Sequence, residues 1–191
     1  FFVSLPIGSS QKRISPQYPT PFDYYVDINT GNDVTGDGSY YNPWRTLNYV
    51  LSLGGFLSGK KIGFMTGSYG SIVETINPGR TDYVTFAAVP GEKPHIDNIL
   101  VDYGSILTDC YLKVEGFDIN SQTNGLVRVK FGRNFKVVNC EIHADKSQKG
   151  PWICDNNSCT GGVHYDGGVI GDCESILIKD CHVHTVNKGF I

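Results

Sequence analysis

The chain has 191 residues, of which 18% are charged, and a formal net charge of −3; that length suffices for one ordinary domain with a real core. The charge balance gives no electrostatic case for nucleic acid or an anionic membrane, and no apolar run approaches the roughly 20 residues of a membrane span. The 23 glycines, with many Tyr, Thr, Ser and Asn, suit strands and turns, whereas long amphipathic helices need more Leu, Glu, Lys and Ala.

Residues 1–22 are irregular and rich in Pro and Ser, and read as an arm or linker. The chain opens on Phe1 rather than Met, so it is expected to be processed or part of something longer. The apolar run Phe1–Ile7 reads either as the remnant left by a removed signal peptide or as a strand that docks on a neighbour. Tyr24-Tyr25-Val26-Asp27 is a short strand, and Asn29–Ser39 is nearly all turn chemistry. Asp27, Asp33 and Asp37 in and beside that loop are candidate calcium ligands. The loop fails the EF-hand template, because the place for a bidentate Glu is taken by Trp44, and Asx turns account for it without metal. From Asn42, a candidate cap, and Pro43 at a first helical position, a short helix is predicted to Leu51. Trp44, Leu47, Val50 and Leu51 share one face of it, suited to covering the end of a core.

Three groups of residues carry a likeness to a known family: Tyr24–Asp27 with Gly31-Asn32-Asp33, Gly36–Ser39 and Asn42–Leu47; Gly67–Gly70; and Tyr83–Asp97. Together they resemble the N-terminal signature and early coils of right-handed parallel β-helix proteins of the pectate-lyase-like superfamily. The likeness runs from about Tyr24 to the end of the chain and implies an all-β solenoid over residues 23–191 with a short N-terminal capping helix. It speaks more to fold than to function, since the superfamily holds polysaccharide lyases and hydrolases, phage tailspikes, adhesins and structural solenoids.

Three nine-residue lines give the repeat its register. Leu112–Asn120, Phe135–His143 and Ile176–His184 align without a gap, apolar at the first, third, sixth and eighth places. Each is two short alternating strands whose phase breaks at Gly116, Asn139 or Asp180, residue types that accept a sharp corner. A strand-and-corner repeat of roughly two dozen residues points to a solenoid of about five coils. Stacking predicts inward columns Leu112/Phe135/Ile176, Val114/Val137/Ile178, Phe117/Cys140/Cys181 and Ile119/Ile142/Val183. The outward columns are Lys113/Lys136/Leu177, Asp118/Glu141/His182 and Asn120/His143/His184.

The outward columns hold the candidate chemistry. Glu141, His143, His182 and His184 form a carboxylate–imidazole group able to do acid–base work or hold a metal, unless they are simply solvated ladder positions. Lys113, Lys136 and Lys179, with Arg128 and Arg133, are placed to meet an acidic glycan or are ordinary cations of a polar face. In the lyases the chain resembles, calcium held by carboxylates acts with Lys or Arg on a central coil. Asp166, Asp172, Glu174 and Asp180 are the carboxylates nearest Lys179 in sequence, but these do not map residue by residue onto a lyase site.

Residues 145–167 interrupt the repeat and read as a lateral loop on a binding flank. Trp152 and Tyr165 there are placed to stack on sugar rings or to pin the loop. Cys154 and Cys159 are expected to form a local disulfide, implying an oxidising compartment; zinc held by Cys154, Cys159 and His164 lacks a fourth ligand. Asn156-Asn157-Ser158 matches the N-glycosylation pattern. The pairing of Cys110, Cys140, Cys173 and Cys181 stays open. Asn187–Ile191 reads as the start of a further coil, so the chain is expected to continue.

Two functions fit this reading. One is a secreted or surface protein that binds or degrades a polysaccharide, lyase-like, of which this is the N-terminal part. The other is a structural subunit of an extracellular filament, adhesin or tailspike, forming homo-oligomers end to end through its open edges and its N-terminal arm.

Overall fold

The computed structural model describes residues 22–120, 126–143, 153–154 and 173–184. Alternation of apolar and polar residues produces short strands, and these fall into rungs of three. After β1 (Tyr24–Val26) come β2 (Lys61–Phe64), β3 (Gly67–Ser68) and β4 (Ile72–Glu74). The next rung is β5 (Val84–Ala88), β6 (Pro94–Ile96) and β7 (Ile99–Asp102). The third is β8 (Thr108–Glu115), β9 (Asp118–Asn120) and β10 (Val127–Lys130). Then follow β11 (Gly132–Val138), β12 (Glu141–His143) and β13 (Ile153–Cys154), and finally β14 (Cys173–Lys179) and β15 (His182–His184).

Every third strand returns to the same sheet. The first sheet runs β1-β2-β5-β8-β11-β14, the second β3-β6-β9-β12-β15 and the third β4-β7-β10-β13. All the pairings among the described strands are parallel. The architecture is therefore all-β, parallel sheets with one short α-helix.

Register follows the aligned lines. Phe135 pairs with Leu112 and with Ile176, and Val137 with Val114 and with Ile178. On the second sheet Ile142 pairs with Ile119 and with Val183. The first-sheet column extends further toward the N-terminus, through Phe86, Ile62 and Tyr24. Phe64, Phe86, Leu112, Val114, Phe135, Val137, Ile119 and Ile142 are all fully buried. Each such side chain taken out of water contributes about 1.5–3 kcal/mol. The Phe64 ring lies 5.1–5.4 Å from those of Tyr69, Phe86 and Phe117, joining the first two sheets.

The corner between those sheets falls at Gly116, Asn139 and Asp180, with φ of 76°, 52° and 55°. A second left-handed column, Tyr111, Asn134 and Ser175, has φ of 41°, 59° and 55°. It accompanies a register shift between Arg133 and Phe135, where two residues of β8 oppose one of β11. A bulge of this kind bends the strand.

The α-helix, α1, covers Leu47–Ser52 rather than starting near Asn42. Asn42 is occupied in closing the preceding turn: its carbonyl accepts from Asp37 and Gly38, and its Nδ2 donates to the Thr35 carbonyl at 2.9 Å. Trp44 is still extended and bridges Val26. Thr46 is the cap, its Oγ1 accepting from the Tyr49 amide at 3.1 Å. Trp44, Leu47 and Val50 join the main core, and Leu51 packs against it partly buried.

Two further expectations meet these elements. Phe22, placed in the arm, is buried with Tyr25 and Ala87. Ile153–Cys154, inside the segment expected to be a lateral loop, pairs with β10 and adds a strand to the third sheet. The remainder of 145–167, and residues 1–21, lie outside the described residues. No helix among the described residues is long and apolar enough to cross a membrane.

Candidate functional site

The second sheet carries the densest chemistry. Its strands β9, β12 and β15 are three residues long, polar–Ile–polar or polar–Val–polar; in β9 and β12 the middle isoleucine is fully buried and the flanking residues are not. Register stacks His95, Asp118, Glu141 and His182 in one column and Asn120, His143 and His184 in the other. Glu141, His143 and His182 thus come together on one face as the alignment required, and His184 holds the matching backbone position.

Asp118 is the centre of this group. Its Oδ1 lies 2.8 Å from His143 Nε2 and its Oδ2 3.5 Å from His95 Nδ1, so one carboxylate joins imidazoles on the strands to either side. His95 Nε2 is in turn 3.4 Å from Asp97 Oδ1. The side chains of His95, Asp118 and His143 are 26%, 37% and 21% exposed, held by neighbours yet open to a ligand. The Asp118 carboxylate facing His143 Nε2 is the kind of contact by which a carboxylate orients the imidazole of a general base. Among the described residues no three His, Cys, Asp or Glu side chains gather as a metal ligand set.

His95 and Asp97 escape the three-line alignment because they precede it, in a segment broken by Pro94. The signal that finds them is the triplet itself: His95-Ile96-Asp97 repeats as Asp118-Ile119-Asn120, Glu141-Ile142-His143 and His182-Val183-His184.

The cations lie across the corner, on the first sheet, and they have partners. Lys113 and Lys136 stack in register with Thr85 and Leu177. Lys113 Nζ is 2.9 Å from Glu115, Lys136 Nζ is 3.9 Å from the centre of the Tyr83 ring, and Lys179 is 3.6 Å from Asp180. Arg133 grips Asp109 through two hydrogen bonds of 2.6 and 2.9 Å, which hold the Asp109 carboxyl below its usual range. Arg128 lies on β10 of the third sheet.

Asp27, Asp33 and Asp37 do not converge. Asp27 accepts from the Asn29 amide and the Thr30 hydroxyl, and Asp37 from the Ser39 amide. Asp33 accepts from the Arg45 and Thr46 amides and the Thr46 hydroxyl at 2.7, 3.0 and 2.6 Å. Burial, the largest single influence on Asp33, pushes its carboxyl up, but these hydrogen bonds together hold it low. The three aspartates are used to build turns and to anchor the start of α1. Trp152, Tyr165, Cys159 and His164 lie outside the described residues; Cys154 is described only as the backbone of β13.

A groove of about 510 Å³ lies away from the imidazoles, between α1 and the segment from Val73 to Pro78. Its one carboxylate, Glu74, belongs to a buried cluster invisible in the sequence. Arg80 Nη1 donates to Glu74 at 3.1 Å and to the Cys110 carbonyl at 2.9 Å, and the Tyr103 hydroxyl donates to Glu74 at 3.0 Å. That carboxylate is committed to the core, so the groove brings no reactive group of its own.

No family model, no curated protein and no solved structure matches this chain. The functional reading therefore stands on the residues and their geometry.

Proposed function

We propose that the chain is a right-handed parallel β-helix of the pectate-lyase-like superfamily, secreted or surface-borne, and that its second sheet binds and cleaves a polysaccharide. The observation that carries this reading is the His95–Asp118–His143 group, set on an open face beside Glu141 and His182. Neighbouring rungs are about 4.8 Å apart, a pitch comparable with one sugar residue, so successive polar pairs can meet successive units of a linear glycan. Cleavage of a glycosidic bond, by elimination or by hydrolysis, needs a positioned base and a positioned acid. His143, oriented by Asp118, supplies the base, and Glu141 and His182 are the nearby groups able to hand over a proton. The lysines of the first sheet are engaged by Glu115, Tyr83 and Asp180, so they would contact acidic substituents from across the corner only by exchanging those partners.

The test is incubation of the full chain with a panel of uronate-containing and neutral polysaccharides. Unsaturated ends are followed by ultraviolet absorbance and hydrolytic ends by reducing-sugar assay. Cleavage of at least one polymer is expected, with Asp118→Asn slowing turnover by about 100-fold or more. Absence of both binding and cleavage across the whole panel would remove the reading.

A further inference from the structure

The inward column Phe117/Cys140/Cys181 places two thiols on adjacent rungs, at the corner between the first and second sheets. Glu141 pairs with His182 and Val138 with Lys179, so Cys140 and Cys181 are neighbours across the parallel ladder. The ladder is closed around them: the Asn139 amide donates to the Lys179 carbonyl and the His182 amide to the Cys140 carbonyl, each at 2.9 Å. The two sulfurs hold the same pose one rung apart. Cys140 Sγ is 3.8 Å from the Val114 carbonyl and Cys181 Sγ is 3.7 Å from the Val137 carbonyl, and Val114 and Val137 are themselves register partners. A rung repeat of about 4.8 Å lies inside the Cα separations of about 4.4–6.8 Å that a disulfide spans. Both are free thiols, Cys140 buried and Cys181 only partly so.

We propose that Cys140 and Cys181 are a redox-active pair that closes to a rung-to-rung disulfide in response to a low-molecular-weight disulfide. This proposal is independent of the glycan reading. Cys181 attacks one sulfur of the small disulfide as its thiolate, breaking that S–S bond, forming a mixed disulfide and releasing one small thiolate. Cys140 then attacks the Cys181 sulfur, its proton passing to the departing group, and the second small thiol leaves. Two cysteine thiols are oxidised, the small disulfide is reduced to two thiols, and two protons are accounted for. The thiolate is the attacking species, and a hydrogen bond from Cys140 holds the Cys181 thiol below its ordinary value while the same contact, with burial, pushes Cys140 up. Cys110 offers no competing route: it is fully buried, and burial raises its thiol to about 12.

The spacing of lysines makes the product easy to identify. Trypsin releases Cys140 in Val137–Lys146 and Cys181 in Asp180–Lys188, each with a single cysteine, while Cys154, Cys159 and Cys173 travel together in Gly150–Lys179. The native full chain is treated with oxidised glutathione, remaining thiols are alkylated under denaturing conditions, and the digest is analysed by mass. The expected result is the two peptides joined, lighter than their sum by two hydrogens, with Cys110 alkylated. Cys140→Ser is expected to stop at a stable glutathione adduct on Cys181. The closed form is expected to melt on the order of 10 °C higher, reversibly with reductant, because it fixes a long loop. Recovery of the two wild-type peptides separately, whether alkylated or with glutathione left on Cys181, overturns the proposal. So does Cys181 joined to any cysteine other than Cys140. The wild-type digest decides the matter even if the serine variant does not fold.

Discussion

Asp33 accepts three hydrogen bonds from Arg45 and Thr46 and so fixes the entry to α1. Asp33→Ala should cost about 1–2 kcal/mol, the value of a helix cap and its support, read as a lower urea midpoint. The Glu74–Arg80 pair is more consequential because its side chains are 5% and 0% exposed. Arg80→Met leaves a carboxylate uncompensated in the core and should cost about 3–5 kcal/mol; replacing Arg80 and Glu74 together by apolar residues should restore much of that. Asp109 answers to pH in a defined direction. Its carboxyl is held low chiefly by Arg133, so its contribution is complete above the ordinary carboxylate value, about 3.9, and is lost as pH falls through the lower folded value. Asp109→Asn should flatten the acid side of the stability profile, though modestly, because Arg133 is 40% exposed and solvent screens the pair.

At the level of strands and corners, much was legible in the sequence. The apolar places in the three lines fix both phase and register, because a slip of one residue would turn each strand's core face outward. Gly116, Asn139 and Asp180 announced the corner through residue type, and all three have positive φ. The second bend was not legible. Tyr111 carries no turn signature, and its conformation follows from a bulge that becomes visible only when two strands are laid side by side. The helix start was misplaced for a similar reason: Asn42 and Pro43 have the right local chemistry, but pairing of Trp44 with Val26 keeps the chain extended until Thr46. At the corner, Asn139→Val should cost roughly 1–2 kcal/mol because it forces a β-branched residue into left-handed backbone, while Asn139→Gly should be close to neutral; denaturant titration of both separates strain from lost contacts. In the stacked core, Ile142→Ala should cost about 2–5 kcal/mol.

Across the whole molecule, the sheets divide the chemistry. The first sheet carries lysines already engaged by neighbours, the second carries imidazoles and carboxylates, and the third contributes the wall of the groove under α1. From the sequence these groups looked like one polar exterior, since outward columns reveal which residues stack but not how a carboxylate will bridge two of them. Asp118 was placed in its column, yet its link to His95 depended on a rung outside the alignment. The buried Glu74–Arg80–Tyr103 cluster was hidden more deeply, because its members sit on separate rungs or connections with no common period.

The most direct test of the account is a spectrum of the histidine side chains, labelled in the imidazole ring, as a uronate oligosaccharide and then a neutral glucan oligosaccharide are added. The account predicts that His95 and His143 shift together with at least one of these ligands, and that Asp118→Asn abolishes the joint shift while the fold persists. Saturating ligand that leaves both rings unmoved, or shifts confined to other surfaces, would contradict it.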